Sequence, residues 1–180
     1  MLITITLLSL AFQYEPLGTQ LQWNREALAQ GEMWRLFTGH FTHSNLSHFA
    51  LNLSALWIIV SIFRPTVYRL SATSLIVAIV IGLFLHQTHY TTYVGLSGVL
   101  HGLIATFSLK EALNGEKSSY LLLAGVVIKV VLESAYTTTN ADVLIGIPVA
   151  YEAHIIGVVC GISLAIIEHL RQKYLTKQIR

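Results

Sequence analysis

The chain has 180 residues, 54% of them hydrophobic and 11% charged, with a formal net charge of +2 and a mean hydropathy of +0.63. A soluble domain of this length carries roughly a quarter charged residues, so composition excludes an ordinary soluble protein and points to an all-α integral membrane bundle forming one domain over residues 1–180. The basic residues cluster only in the 170–180 tail, which excludes a nucleic-acid surface, and the single cysteine, Cys160, excludes an internal disulfide and a cysteine-based metal site.

Six apolar segments are predicted, at roughly 1–14, 46–63, 70–86, 97–113, 118–134 and 153–169. The first has no basic residue before it and no cleavage signature, so it does not read as a signal peptide. About 14 helical residues cover ~21 Å against a ~30 Å hydrocarbon core. The segment is therefore expected to extend toward Leu17, or the native start is trimmed. A long polar loop follows, carrying Arg25, Trp34, Arg35 and His43. The second segment places His48 and Asn52 at i,i+4 on one helical face.

The fourth segment is short. From Ser97 to Leu109 it offers ~20 Å of apolar helix before Lys110. With Lys110 and Lys117 holding its inner end, Ser97 is expected ~10 Å below the outer surface. The uncharged loop from His86 to Gly95 must then dip inward. Irregular backbone at that depth is tolerated only inside protein or beside water, so Ser97 is expected to face a wet cavity. The fifth segment carries Lys129 and Glu133 at i,i+4; the sixth carries His154, Gly157 and Gly161 on one face.

Basic residues orient the bundle. Arg64, Arg69, Lys110, Lys117, Arg171, Lys173, Lys177 and Arg180 fall on one side if the segments alternate, against Arg25 and Arg35 on the other. The positive-inside rule puts both termini in the cytoplasm, in a bacterial inner membrane with the cavity open to the periplasm.

The polar residues suggest a serine hydrolase. Gly98 and Gly102 on the fourth segment, and Gly157 and Gly161 on the sixth, are small-xxx-small pairs that let helices approach closely. Such a contact would aim His154 at Ser97, supplying a base for a nucleophile. His48 and Asn52 read either as oxyanion donors or as helix-to-helix hydrogen bonds. No acid is evident. Asp142 lies in an outer loop, Glu152 is ~200° round the helix from His154, and Glu133 alone remains at useful depth. The expectation is a Ser–His dyad with His154 held by packing. His101, one turn from Ser97, reads as a support for His154, as the base itself, or as a satisfied core histidine. Lys129 and Glu133 read as an internal ion pair with the lysine reaching outward, or as a polar contact to substrate or to the outer loop.

Taken together, these residues resemble the rhomboid family of intramembrane serine proteases. Trp34-Arg35 with Thr38 resembles its first-loop motif. His43, His48 and Asn52 match its H-x4-H-x3-N pattern, Gly95-Leu96-Ser97-Gly98 its GxSG motif, and Ala153-His154 with Gly157 and Gly161 its AHxxGxxxG motif. The resemblance covers most of the chain. It implies a six-transmembrane-helix bundle, Ser97 as nucleophile, His154 as base, and His48, Asn52 and the Ser97 N–H around the oxyanion. Gly95, Gly98, His43 and His101 would support them. Many rhomboids have tyrosine where His101 stands. The run Ser97-Gly98-Val99-Leu100-His101-Gly102 is instead similar to rhombosortases, which implies a membrane-anchored substrate with a C-terminal Gly-Gly, an apolar helix and a basic end. No metal and no cofactor are expected, and HExxH is absent. The competing classes are a transporter or channel, which also keeps intramembrane polar residues, and an inactive relative acting as a binding module.

Overall fold

A computed structural model describes residues 2–135 and 140–178. Helix α1 (Leu2–Ala11) leads into a first loop built of short pieces: α2 (Leu17–Leu21), strand β1 (Trp23–Asn24), α3 (Arg25–Ala29), α4 (Arg35–Thr38) and a 3-10 turn, Gly39–Phe41. Then come α5 (Leu46–Phe63) and α6 (Val67–Phe84), a 3-10 turn at Leu85–Gln87, strand β2 (Thr92–Tyr93), α7 (Ser97–Leu113), α8 (Ser119–Ala135), α9 (Asn140–Ile145) and α10 (Tyr151–Gln178). Each of the six predicted apolar segments contains a helix, but α1 ends at Ala11 and does not extend toward Leu17. Among the described residues three helical stretches, Leu46–Phe63, Val67–Gln87 and Tyr151–Gln178, are long and apolar enough to cross a membrane, whereas Leu2–Ala11 is shorter.

Local sequence sets the helix ends. Asn45 accepts the His48 N–H at 2.8 Å and starts α5, the usual work of an Asn N-cap. Arg64, left-handed at φ 43, ends it, with Pro65 next. Thr66 then caps α6 through the Arg69 N–H.

Helix α7 is the axis of the fold. Of its 17 residues, 12 are buried, so it is covered on nearly every side. Its deepest contact is with α10. A side chain on Gly157 or Gly161 would run into the Gly98 or Gly102 carbonyl, and one on Gly102 would come within 3.0 Å of the Gly157 oxygen. The two small-residue pairs thus interlock as expected, backbone on backbone. Outward faces are apolar: Leu51, Ile58, Leu83, Leu121, Val131 and Ile167 are exposed, as suits a helix set whose solvent is lipid.

The first loop is pinned to the helices rather than loosely draped. Trp23 is fully buried and donates its indole N–H to the Gly82 carbonyl at 2.9 Å. Arg25 donates to the carbonyls of Leu85, His86, Thr88 and Tyr90 at 2.7–3.2 Å. Arg35 donates to the carbonyls of Thr19 and Gln22 and to Glu32, and Thr38 donates to Leu21. Strands β1 and β2 pair antiparallel, Trp23 opposite Tyr93. These bonds hold the segment that leads into Ser97.

Candidate active site

Ser97 is the first residue of α7. Gly95 reaches it with φ +116, a conformation glycine adopts without steric cost. A side chain there would lie 2.7 Å from His48 Nε2 and 3.7 Å from Asn52 Nδ2. Gly95 therefore turns the chain and lets it press onto both α5 side chains. Tyr93 is buried and donates its hydroxyl to the Gly95 carbonyl at 2.9 Å; burial pushes its phenol above the ordinary tyrosine range.

His154, in the first turn of α10, is buried with Nε2 2.8 Å from Ser97 Oγ. The serine and histidine singled out from sequence are therefore brought together across the α7–α10 contact. The expectation that packing alone holds His154 is corrected. Its Nδ1 lies 2.8 Å from Oε2 of Glu133 on α8. The other oxygen, Oε1, accepts from Lys129 one turn earlier. Sequence alone placed Glu133 at a useful depth but could not give its direction, because only the packing of α8 beside α10 turns that face inward.

His101 stacks on His154, with ring centroids 4.2 Å apart and planes 18° from parallel. Its Nδ1 donates to the Ser97 carbonyl at 2.7 Å, and its Nε2 accepts from Lys129 at 3.3 Å. Among the described residues it is His154 and not His101 that meets Ser97 Oγ, while His101 lies against the face of the His154 ring. His101, Glu133 and His154 each offer one donor atom within 4.8 Å of the others, a spacing a metal ion could use. The Lys129 ammonium bonds to both His101 and Glu133, so a cation already occupies their facing atoms.

His48 and Asn52 are buried on the face of α5 turned to Gly95. Ser44 donates its one proton to the Ile145 carbonyl at 2.6 Å, so it accepts at 3.0 Å from His48 Nδ1. A neutral His48 therefore carries its proton on Nδ1, and Nε2 can donate to an oxyanion only when the ring is protonated. Asn52 Nδ2 is a buried donor with no partner among the described residues. Buried polar groups are nearly always paired, so this orphan marks a place where an acceptor belongs. His43 sits edge-on to His48 at 5.0 Å and accepts from Gln13 at 3.3 Å; burial, then the neighbouring His48, pushes it down to about 3. It braces His48 and makes no contact with Ser97 in this network.

A cavity of about 960 Å³ opens in front of this cluster, lined by Ser97, His154, His48, Asn52, Lys129 and Glu133 among others. Residues 30–171 match the family model described as Rhomboid domain. The chain belongs to the rhomboid family. It is similar to the Rhomboid protease GlpG of Klebsiella pneumoniae, at 25% identity over 87% of this chain and 56% of that protein. It is also similar to the Rhomboid protease GlpG of Salmonella paratyphi A, at 28% identity over 85% of this chain and 55% of that one. The chain spans about half the length of these curated relatives.

Two further contacts shape the mouth of this rhomboid's cavity. Tyr90 donates to Glu152 at 2.7 Å, joining the loop before Ser97 to the start of α10. Glu152 thus has its own partner and does not orient His154, as its position round the helix implies. Asp142 accepts the Val149 N–H at 2.6 Å, closing the loop between α9 and α10 beside the cavity. Neither contact was legible in sequence, since both partners of each are separated by loop geometry.

Proposed function

We propose that this chain is a serine-type intramembrane endopeptidase, with Ser97 as nucleophile and His154 as general base. The observation that carries the reading is the 2.8 Å contact between Ser97 Oγ and His154 Nε2, facing an open cavity in a membrane protein of the rhomboid family. The hydroxyl proton passes to Nε2 as Oγ attacks the substrate carbonyl. The negative charge that develops on the carbonyl oxygen is met by Asn52 Nδ2, by the Ser97 N–H at the unpaired start of α7, and by His48 when protonated. His154 then gives its proton to the leaving amine. Water from the cavity reverses the sequence and frees the acyl group from Ser97.

The orphan amide of Asn52 favours this reading over that of a transporter or channel. A buried donor without a partner is a cost, and here it lies beside the nucleophile's loop. A fluorophosphonate probe tests the proposal directly. It should label the wild-type chain at Ser97 and leave Ser97→Ala unlabelled; absence of wild-type labelling would sink it.

The substrate we propose is a membrane-anchored protein cut near a C-terminal transmembrane helix, preceded by Gly-Gly and followed by a basic end. The support is the run from Ser97 to Gly102, with histidine at 101. Glycines lower helix stability by roughly 1 kcal/mol each relative to alanine, so Gly-Gly would yield the extended strand a recessed serine needs. Co-expression with a Gly-Gly substrate and its Leu-Leu counterpart separates the readings. Equal cleavage would leave a general rhomboid protease and discard the rhombosortase assignment. We further propose a single six-span domain over residues 1–180 in the bacterial inner membrane, both termini cytoplasmic and the cavity facing the periplasm. Reporter fusions at the C-terminus should read cytoplasmic, and tags near Asn140 periplasmic.

A further inference from the structure

Five residues, the proposed nucleophile among them, form a closed circuit of hydrogen bonds, and the chemistry of each group fixes the protons on both histidine rings. Lys129 can only donate. It donates to Glu133 Oε1 and to His101 Nε2, so Nε2 of His101 is bare. The His101 proton is then on Nδ1, which donates to the Ser97 carbonyl, a group that can only accept. On the other arm, the Glu133 carboxylate can only accept, so His154 Nδ1 carries the proton facing it. Nε2 of His154 is left with a lone pair aimed at the Ser97 hydroxyl. Each tautomer required for a base at His154 follows from its neighbour.

We infer that Glu133 is a positioning residue for His154, locked in place by Lys129, so that the site works as Ser97–His154–Glu133 with a built-in cation behind the carboxylate. The inference rests on the proposed hydrolase reading and deepens it. An i,i+4 Lys–Glu pair on a helix surface needs no third partner, and both members usually stay in solvent. Here they part company. The Lys129 side chain is 52% exposed, while that of Glu133 is 14% exposed and turned toward His154. A carboxylate gives up hydration only where its oxygens are otherwise bonded, and both oxygens of Glu133 are. When His154 takes the serine proton, the imidazolium lies between a carboxylate on its Nδ1 edge and the flat face of His101. Lys129 bonded to Nε2 keeps His101 neutral, so the stacked ring adds no opposing charge. Glu133 thus lies directly against the charge that forms on His154, while Lys129 holds the carboxylate in place.

The test uses the full chain in bilayers, with fluorophosphonate labelling of Ser97 as the chemical readout and thermal melting as the fold control. Maximal labelling rate and half-saturating probe concentration are measured for wild type, Glu133→Gln, Glu133→Asp and Lys129→Met. Replacing the carboxylate should lower the maximal rate by on the order of 10²-fold or more, as expected when a base loses its orienting acid. The half-saturating concentration should stay unchanged, and Glu133→Asp should recover part of the loss. Lys129→Met should lower the rate less than Glu133→Gln does. A Glu133→Gln rate within about threefold of wild type would return the site to a two-residue dyad. A loss of equal size in the Gln and Asp variants, or one confined to probe affinity, would make Glu133 merely structural and overturn the inference. Failure of the wild type itself to label at Ser97 is a different result, and it removes the hydrolase reading on which the inference stands.

Discussion

The ring of His101 lies 4.2 Å from that of His154, nearly parallel to it, and one turn of α7 below Ser97. One helix therefore supplies both the candidate nucleophile and the platform beneath the candidate base. Ring pairs of this kind are worth about 0.5–1.5 kcal/mol beyond their buried area. His101→Ala should accordingly lower kcat by several-fold through loosening of His154. His101→Tyr keeps a ring there and should retain most of the rate. Steady-state cleavage of a single-span substrate by the two variants checks this, and equal losses would show that the stack itself contributes nothing.

Ser97→Ala and His154→Ala should each abolish peptide cleavage while leaving the melting temperature close to wild type. The closest α7–α10 approach is backbone on backbone at Gly98, Gly102, Gly157 and Gly161 and survives both changes, although His154→Ala also removes the stack on His101. Substantial cleavage by either purified variant would remove the assignment of nucleophile and base.

Asn52→Ala should lower kcat by on the order of 10²–10³-fold with little change in KM, the usual cost of losing one oxyanion donor. The same change should not destabilise the fold, because Asn52 Nδ2 has no partner to lose among the described residues. His48→Ala should cost less, since its proton is committed to Ser44 in the neutral ring. A KM effect alone would make Asn52 a substrate-binding group.

Gly157→Leu should be the most damaging single change outside the polar cluster. A side chain there meets the Gly98 carbonyl, one residue from Ser97. Overpacking typically costs about 1–3 kcal/mol, and backbone cannot rotate away as a side chain can. The expected outcome is a lower melting temperature together with loss of Ser97 labelling, because separating α7 from α10 separates Ser97 from His154. Wild-type labelling by this variant would show that the helices need not touch.

Stability should fall on acidification. His40 is buried, with Nε2 bonded to the Ala78 carbonyl at 3.0 Å, and burial lowers its pKa from 6.5 to about 4. The unfolded chain then binds more protons than the folded one between those values. Stability therefore rises with pH across that window and is lost as pH falls from 6.5 toward 4. Melting followed over this range should show the decline, and His40→Gln, which cannot titrate, should flatten part of it. An unchanged slope in the variant would place the acid sensitivity elsewhere.

Much of this molecule is determined by sequence alone. Each of the six apolar runs carries a helix, because helical periodicity and turn residues act over a few residues at a time, although the first stops at Ala11. Asn45, Thr66 and the Arg64-Pro65 break mark helix ends that local hydrogen bonding sets. The Ser97–His154 pairing was legible because two glycine pairs at fixed spacing declare a close helix contact, and each pair stands beside one of the two residues. What the sequence left open was decided by packing between distant segments. The rotation of α8 about its axis aims Glu133 at His154, and a weak Lys–Glu pattern on an apolar helix carries no record of that angle. Likewise the proton on His48 is set by a serine whose own acceptor, Ile145, lies 101 residues away. Tautomers and carboxylate directions depend on which groups meet across helices, and only the tertiary structure brings them together.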